Sequence, residues 1–136
     1  MSLSIYGESD IGCTRTRNED AIGWCQSSNG SHAVLVLADG MGGHGGGDVA
    51  SKIVVDSVMA ELSPWVERAD VSGLDAINTL NRAVSNANNQ IRHAREGDAE
   101  RSKMGTTLLI LWIKNDQAFI ANVGDSRCYC LSRSGR

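Results

Sequence analysis

The chain has 136 residues, 41% of them hydrophobic and 21% charged, with a net charge of −3. That is enough for one ordinary domain, or a piece of one. No apolar run approaches the roughly 20 residues that span a bilayer, so no membrane partner is expected, and the acidic balance speaks against nucleic acid, whose phosphates call for clustered Lys and Arg.

Met1 to Asp10 has no basic stretch leading into an apolar segment and cleavage site, so no secretion signal is read and the cytoplasm is the expected compartment. Leu3 to Ile11 and Ala21 to Gln26 read as extended segments. His32-Ala-Val-Leu-Val-Leu-Ala38 is a continuous apolar run that stops abruptly at Asp39-Gly40, the pattern of a strand buried on both faces. A glycine cluster from Gly40 to Gly47 follows. Val49, Ile53, Val58 and Leu62 then recur at helical spacing, and Pro64 stands where a helix can stop. Ser72 with Asp75 forms a capping box for a second helix, whose predicted apolar stripe is Leu74, Ile77, Leu80, Val84, Ala87 and Ile91. Thr106 to Ile113 and Gln117 to Val123 are β-compatible and flank Asn115-Asp116, which suits a tight turn, so they read as a hairpin. Arg127 to Leu131 is expected to add a strand. Strands, two helices and strands in separate blocks indicate an α+β fold with antiparallel sheets. Cys13, Cys25, Cys128 and Cys130 lack a C-x-x-C pairing and are expected to be packed, reduced thiols.

Four segments carry chemistry. In Arg15-Thr-Arg-Asn-Glu19-Asp20 two carboxylates adjoin two guanidinium groups; carboxylate oxygens suit hard cations and Arg grips phosphate with a bidentate fork, although such a cluster alone is what a solvated loop looks like. In Asp39-Gly-Met-Gly-Gly-His44-Gly-Gly-Gly47 a carboxylate at a strand end precedes six glycines in eight positions, a backbone able to approach an ion or phosphate closely. Gly40-x-Gly42-x-x-Gly45 formally matches the dinucleotide fingerprint, but that fingerprint needs a parallel strand after the helix, whereas a second helix follows here. A Walker loop is excluded because no Gly-Lys-Ser/Thr follows the glycines. Met104-Gly-Thr-Thr107 opens one strand, and Asn122-Val-Gly-Asp125-Ser-Arg127 closes the next with ordinary turn residues.

Together and in this order, the four segments resemble the type 2C metal-dependent serine/threonine protein phosphatases, especially bacterial-type members. The resemblance covers nearly the whole chain. It implies a four-layer α-β-β-α sandwich, two antiparallel sheets with antiparallel helix pairs outside, and two Mn2+ or Mg2+ ions in a cleft between the sheets. It implies hydrolysis of phosphoserine and phosphothreonine in phosphoprotein substrates. By position, Asp39 resembles the carboxylate that bridges both ions, Gly40 offers its carbonyl to one, Glu19 and Asp20 match the acidic pair beside them, Arg15 resembles the phosphate clamp, and Asp125 resembles an acid that holds an additional metal in some members.

There are two departures from the family pattern. Met41 stands where some members have a His that protonates the leaving group, which leaves His44 as a candidate donor. Family members also continue past the strand at Cys128 to Leu131 into segments bearing further metal-binding aspartates. Residues 1–136 are therefore expected to be the amino-terminal portion of a single catalytic domain, weakly active or inactive alone; the alternative is a non-catalytic metal- or phosphate-binding fragment. A sandwich cut partway leaves open edges and apolar faces at Leu109, Leu111, Phe119 or Ile120, so self-association through the strands between Thr106 and Leu131 is expected.

Overall fold

Residues 2–42 and 45–135 are described by a computed structural model. Strands β1 (Asp20–Gln26) and β2 (His32–Met41) precede helices α1 (Gly47–Val66) and α2 (Gly73–Arg95), and strands β3 (Gly105–Thr106), β4 (Leu108–Lys114) and β5 (Gln117–Val123) follow. They build one antiparallel sheet in the order β1-β2-β4-β5, with the short β3 also paired to β2. No parallel strand follows α1 among the described residues, which removes the dinucleotide-binding alternative.

The alternation of β2 decides which face meets the helices. Val34, Val36 and Ala38 are at most 3% exposed and pack under α1, while Leu37 on the opposite face is 38% exposed. From α1 come Ala50, Val54, Val58 and Leu62, one residue per turn, and from β4 Leu108, Ile110 and Trp112. Pro64 does not end α1; the helix runs on to Val66. Its last turn is anchored by tertiary contacts that offset the missing N–H. Trp65 packs edge-on against Trp112 at 6.4 Å, and the His32 ring lies 3.1 Å from the Val66 carbonyl oxygen.

The capping box of α2 forms as predicted: the Ser72 hydroxyl accepts the Asp75 N–H at 3.0 Å, and the Asp75 carboxylate accepts from Ser72. Its buried stripe differs from the predicted one. Leu74 and Ile77 are 68% and 50% exposed, whereas Ala76, Thr79, Leu80, Ala83, Ala87 and Ile91 are buried. The small residues face α1, where close helix approach leaves no room for larger ones. The β4–β5 hairpin is also as expected, its two-residue turn using Asn115 at φ 54.

Two expected extended segments do not join the sheet. Residues 3–11 make no strand but cross its helix-free face, where Ile5, Tyr6 and Gly7 lie over Ile22 and Trp24 beside a cavity of about 320 Å³. Arg127 to Leu131 forms no strand either, because no partner strand among the described residues lies beside it. All four cysteines are free, but Cys13, Cys128 and Cys130 are exposed, contrary to expectation, since they lie outside the strands and helices that form the core; only Cys25, on β1, is partly buried. Phe119 points toward the helices and is half-buried, and Leu109 is buried beside the cavity under residues 3–11, so the open apolar face comprises Trp24, Leu37, Leu111 and Ile120 instead. No described helix is long and apolar enough to cross a membrane.

Candidate active site

The β1–β2 register sets Asp20 directly across from Asp39 at the end of the hairpin. Directly opposed residues stand with Cβ atoms about 5 Å apart, where two like charges repel. Partial burial raises the pKa of the Asp20 carboxyl; the negative charge of Asp39 and a hydrogen bond to it raise it further, while the Arg15 guanidinium pulls the other way. Two carboxylates and one guanidinium therefore converge, with Gly40 beside them, in a shallow polar cleft of about 200 Å³ also lined by Asp10, Arg17, Asn18 and Glu19.

The loop that delivers Arg15 is tied down locally. The Asp10 carboxylate accepts the Gly12 N–H at 2.7 Å, and Gly12 turns at φ 77. Asn18 donates to the Ser9 hydroxyl at 2.8 Å and accepts the Asp20 N–H at 3.0 Å, setting the start of β1. Arg17 reaches Asp48 in the first turn of α1 at 3.7 Å.

Glu19 and Asp20 adjoin in sequence but do different work. The Glu19 carbonyl accepts the Gly40 N–H at 3.0 Å, and its carboxylate lies against Gly47 at the start of α1, 2.1 Å from where a Cβ would stand. Negative charge is favoured at a helix N-terminus, so Glu19 serves the junction of hairpin and helix whatever else it does. Gly40 meets the same junction: a Cβ there would lie 1.9 Å from the Gly47 carbonyl oxygen.

Asp125 is not part of the cleft. It sits exposed in the turn after β5, where the Asn122 side-chain amide donates to the Ser126 carbonyl at 3.0 Å. His44 lies outside the described residues. Met41, after Gly40, is 54% exposed. Among the described residues no three His, Cys, Asp or Glu side chains converge as a complete metal cage. The roles of Asn18 and Asp10 were not read from the sequence; the Asn-Glu-Asp run and an Asx-turn pattern at Asp10-Ile-Gly12 were the available signals.

The donor set nonetheless suits a hard divalent cation. Two facing carboxylates and an adjacent backbone carbonyl are oxygen ligands of the right kind, and a cation would relieve the repulsion between them.

The sequence profile of the protein phosphatase 2C family matches residues 13–136. The serine/threonine phosphatase stp of Listeria welshimeri is 36% identical over 126 residues, covering 92% of this chain and 48% of that protein. The serine/threonine phosphatase of S. agalactiae superimposes with a TM-score of 0.75 at 31% identity, over 88% of this chain and 48% of that one. The catalytic domain of the serine/threonine protein phosphatase PstP in complex with two manganese ions gives a TM-score of 0.70 at 34% identity, over 88% and 47%. The chain thus spans about half the length of these relatives.

Proposed function

Because this chain belongs to the protein phosphatase 2C family, we propose that it forms the amino-terminal half of one catalytic domain that hydrolyses phosphoserine and phosphothreonine in proteins, using two Mn2+ or Mg2+ ions. The observation that carries this is the cross-strand pair Asp20–Asp39, set beside Gly40 and Arg15 in one cleft. The manganese-bound PstP domain of similar fold supports the choice of ion.

Each residue has a definite task in this assignment. Asp39 would hold the metal through its carboxylate, with the Gly40 backbone carbonyl as a second oxygen ligand. Asp20, facing Asp39, completes the acidic wall and would supply a further carboxylate to the metal or to its water. Arg15, already balancing Asp20, presents its guanidinium fork to the substrate phosphate. Glu19 contributes charge from the α1 junction, and Asp125 serves an additional ion from its separate turn. When bound, the two ions supply a water of lowered pKa as nucleophile and offset charge on the phosphoryl oxygens.

The remaining acidic ligands come from the half of the domain that this chain does not include. That half also supplies the second sheet of the four-layer sandwich, against the helix-free face. The alternating half-buried and exposed pattern of Leu3 to Glu8, a segment that forms no strand ladder among the described residues, is what a strand of that second sheet would show. The chain alone accordingly binds ions weakly and turns over little. The test is Mn2+-dependent release of phosphate from a phosphothreonine peptide by a chain extended to the length of its relatives. Asp39→Asn should abolish release and Arg15→Ala should raise KM; an extended chain that is folded yet inactive with either ion would refute the assignment.

A further inference from the structure

At one point the β2 ladder departs from the regular antiparallel pattern, and it does so at Asp39. The register places Thr107 opposite Asp39, between the β2–β3 pair Gly40–Thr106 and the β2–β4 pair Leu37–Leu109. A regular pair of this kind exchanges two N–H to carbonyl bonds. Here only one is made: the Thr107 N–H donates to the Asp39 carbonyl at 2.9 Å. The Asp39 N–H donates instead to the Thr107 hydroxyl at 3.0 Å, and the Thr107 carbonyl is taken by the Thr106 hydroxyl at 2.9 Å.

The substitution of hydroxyl for carbonyl connects two acidic segments. Thr107 Oγ1 also lies 2.9 Å from Ser126 Oγ, in the turn that carries Asp125. With the Asp39 N–H occupying an acceptor site on Oγ1, the Thr107 proton is free to donate to Ser126. The methyl is used as well: Thr107 Cγ2 is 2.7 Å from where a Cβ of Gly124 would stand, and Gly124 has φ 110. Thr107 is only 3% exposed, so neither contact is exchanged for water at no cost.

We infer that Thr107 is a positioning residue that fixes the Asp39 backbone and the Asp125 turn relative to one another through its hydroxyl and Ser126, and so sets the spacing of two separately delivered metal-binding acids. The inference rests on the function proposed above. Valine keeps the shape of threonine without the hydroxyl, and serine keeps the hydroxyl without the methyl, so the pair of variants separates hydrogen bonding from packing.

The experiment uses this chain, with amide hydrogen exchange followed by NMR without metal and Mn2+ affinity followed by calorimetry. Thr107→Val is expected to speed exchange at Asp39 about fivefold or more, the effect of one lost hydrogen bond, to shift the Asp125 and Ser126 amide signals, and to weaken Mn2+ binding. Thr107→Ser should restore the Asp39 protection and most of the affinity, even if its melting temperature stays low. Ser126→Ala, which leaves the β2–β4 ladder intact, should shift the Asp39 amide in the same direction and serves if Thr107→Val does not fold. Unchanged Asp39 exchange in both Thr107→Val and Ser126→Ala overturns the link. Faster exchange with unaltered Mn2+ affinity overturns its bearing on the metal site. If the unaltered chain binds no Mn2+, the same variants are titrated in the extended chain, whose own failure to bind would sink the functional assignment, while the exchange data still decide the link.

Discussion

Gly40→Ala probes the junction where hairpin, helix and site meet. The added methyl would stand 1.9 Å from the Gly47 carbonyl oxygen and 2.6 Å from the Glu19 carbonyl oxygen. Both are backbone atoms, so no side chain can swing away. Bringing 1.9 Å up to the 3.0 Å below which real Cβ contacts essentially do not occur requires the end of β2 and the start of α1 to part by 1.1 Å. Overpacking of a tight interface typically costs about 1–3 kcal/mol, and a clash between two backbones belongs at or above the top of that range, so a loss of about 3 kcal/mol is expected in urea unfolding. The same opening breaks the Gly40 N–H to Glu19 carbonyl bond and moves Asp39, so Mn2+ affinity should fall as well. Gly45→Ala is the control: its nearest neighbour would be the Glu100 carbonyl oxygen at 4.0 Å, and stability should change by no more than about 0.5 kcal/mol. Gly40→Ala within about 0.5 kcal/mol of the unaltered chain would refute the packed junction.

Asp39→Asn in this chain should remove most of its Mn2+ affinity in a calorimetric titration, and equal binding by both forms would remove Asp39 from the site. The Asp75 carboxyl is held below its ordinary 3.8, first by the Ser72 side chain and then by the Ser72 backbone N–H. Its stabilisation is therefore complete above 3.8 and disappears as the pH falls below that value through the lower folded pKa. Acid titration of the melting temperature should show this step in the unaltered chain and lose it in Asp75→Asn. Trp24, Leu37 and Ile120 leave apolar surface open on the helix-free face. At about 25 cal/mol per Å², a few hundred Å² amount to several kcal/mol, so light scattering at rising concentration should show self-association, reduced by Ile120→Lys. A concentration-independent monomer would show that residues 3–11 close that face themselves.

Legibility in the sequence followed how local each cause was. The run from His32 to Ala38 and the Ser72–Asp75 box are complete in a few residues, and the strand and the cap both formed, but the expected burial of that strand on both faces did not: Leu37 is 38% exposed because no second layer among the described residues covers the helix-free face. The stripe of α2 differs from the predicted one at Leu74 and Ile77 because hydrophobicity alone does not mark its buried face. The face against α1 selects size, and hence Ala76, Ala83 and Ala87, while Ile77 borders a cleft over β5. Residues 3–11 and 127–131 had strand-like composition, but a strand exists only with a partner, and composition does not state whether one is present. In the candidate site, Asp20 and Asp39 were recognisable as acids from their motifs. That they face each other depends on the β1–β2 register, and the separate tasks of Glu19 and Asp20 on which side of the strand start each carboxylate leaves. The Thr107 contact lies further out of reach, since it joins residues 68 positions apart.

The central place of β2 in the sheet also dictates an order of assembly. On one side β2 pairs with β1 across a short hairpin, and β4 and β5 make a second hairpin of their own. Between the two lies the seam of β2 and β4, where Leu37 meets Leu109, and closing it requires the whole helical pair to be laid down between partners 72 positions apart. Local hairpins and helices form early because little chain entropy is lost, whereas a seam of that span must wait. Asp20 and Asp39 thus come together with the first hairpin, but the contact of Asp39 with Thr107 and the turn beyond it arises only when the seam zips. A nascent chain would hold its acidic pair well before it could hold the geometry around it, and the closing of the seam would be the step that sets Asp39 against Thr107 and the Asp125 turn.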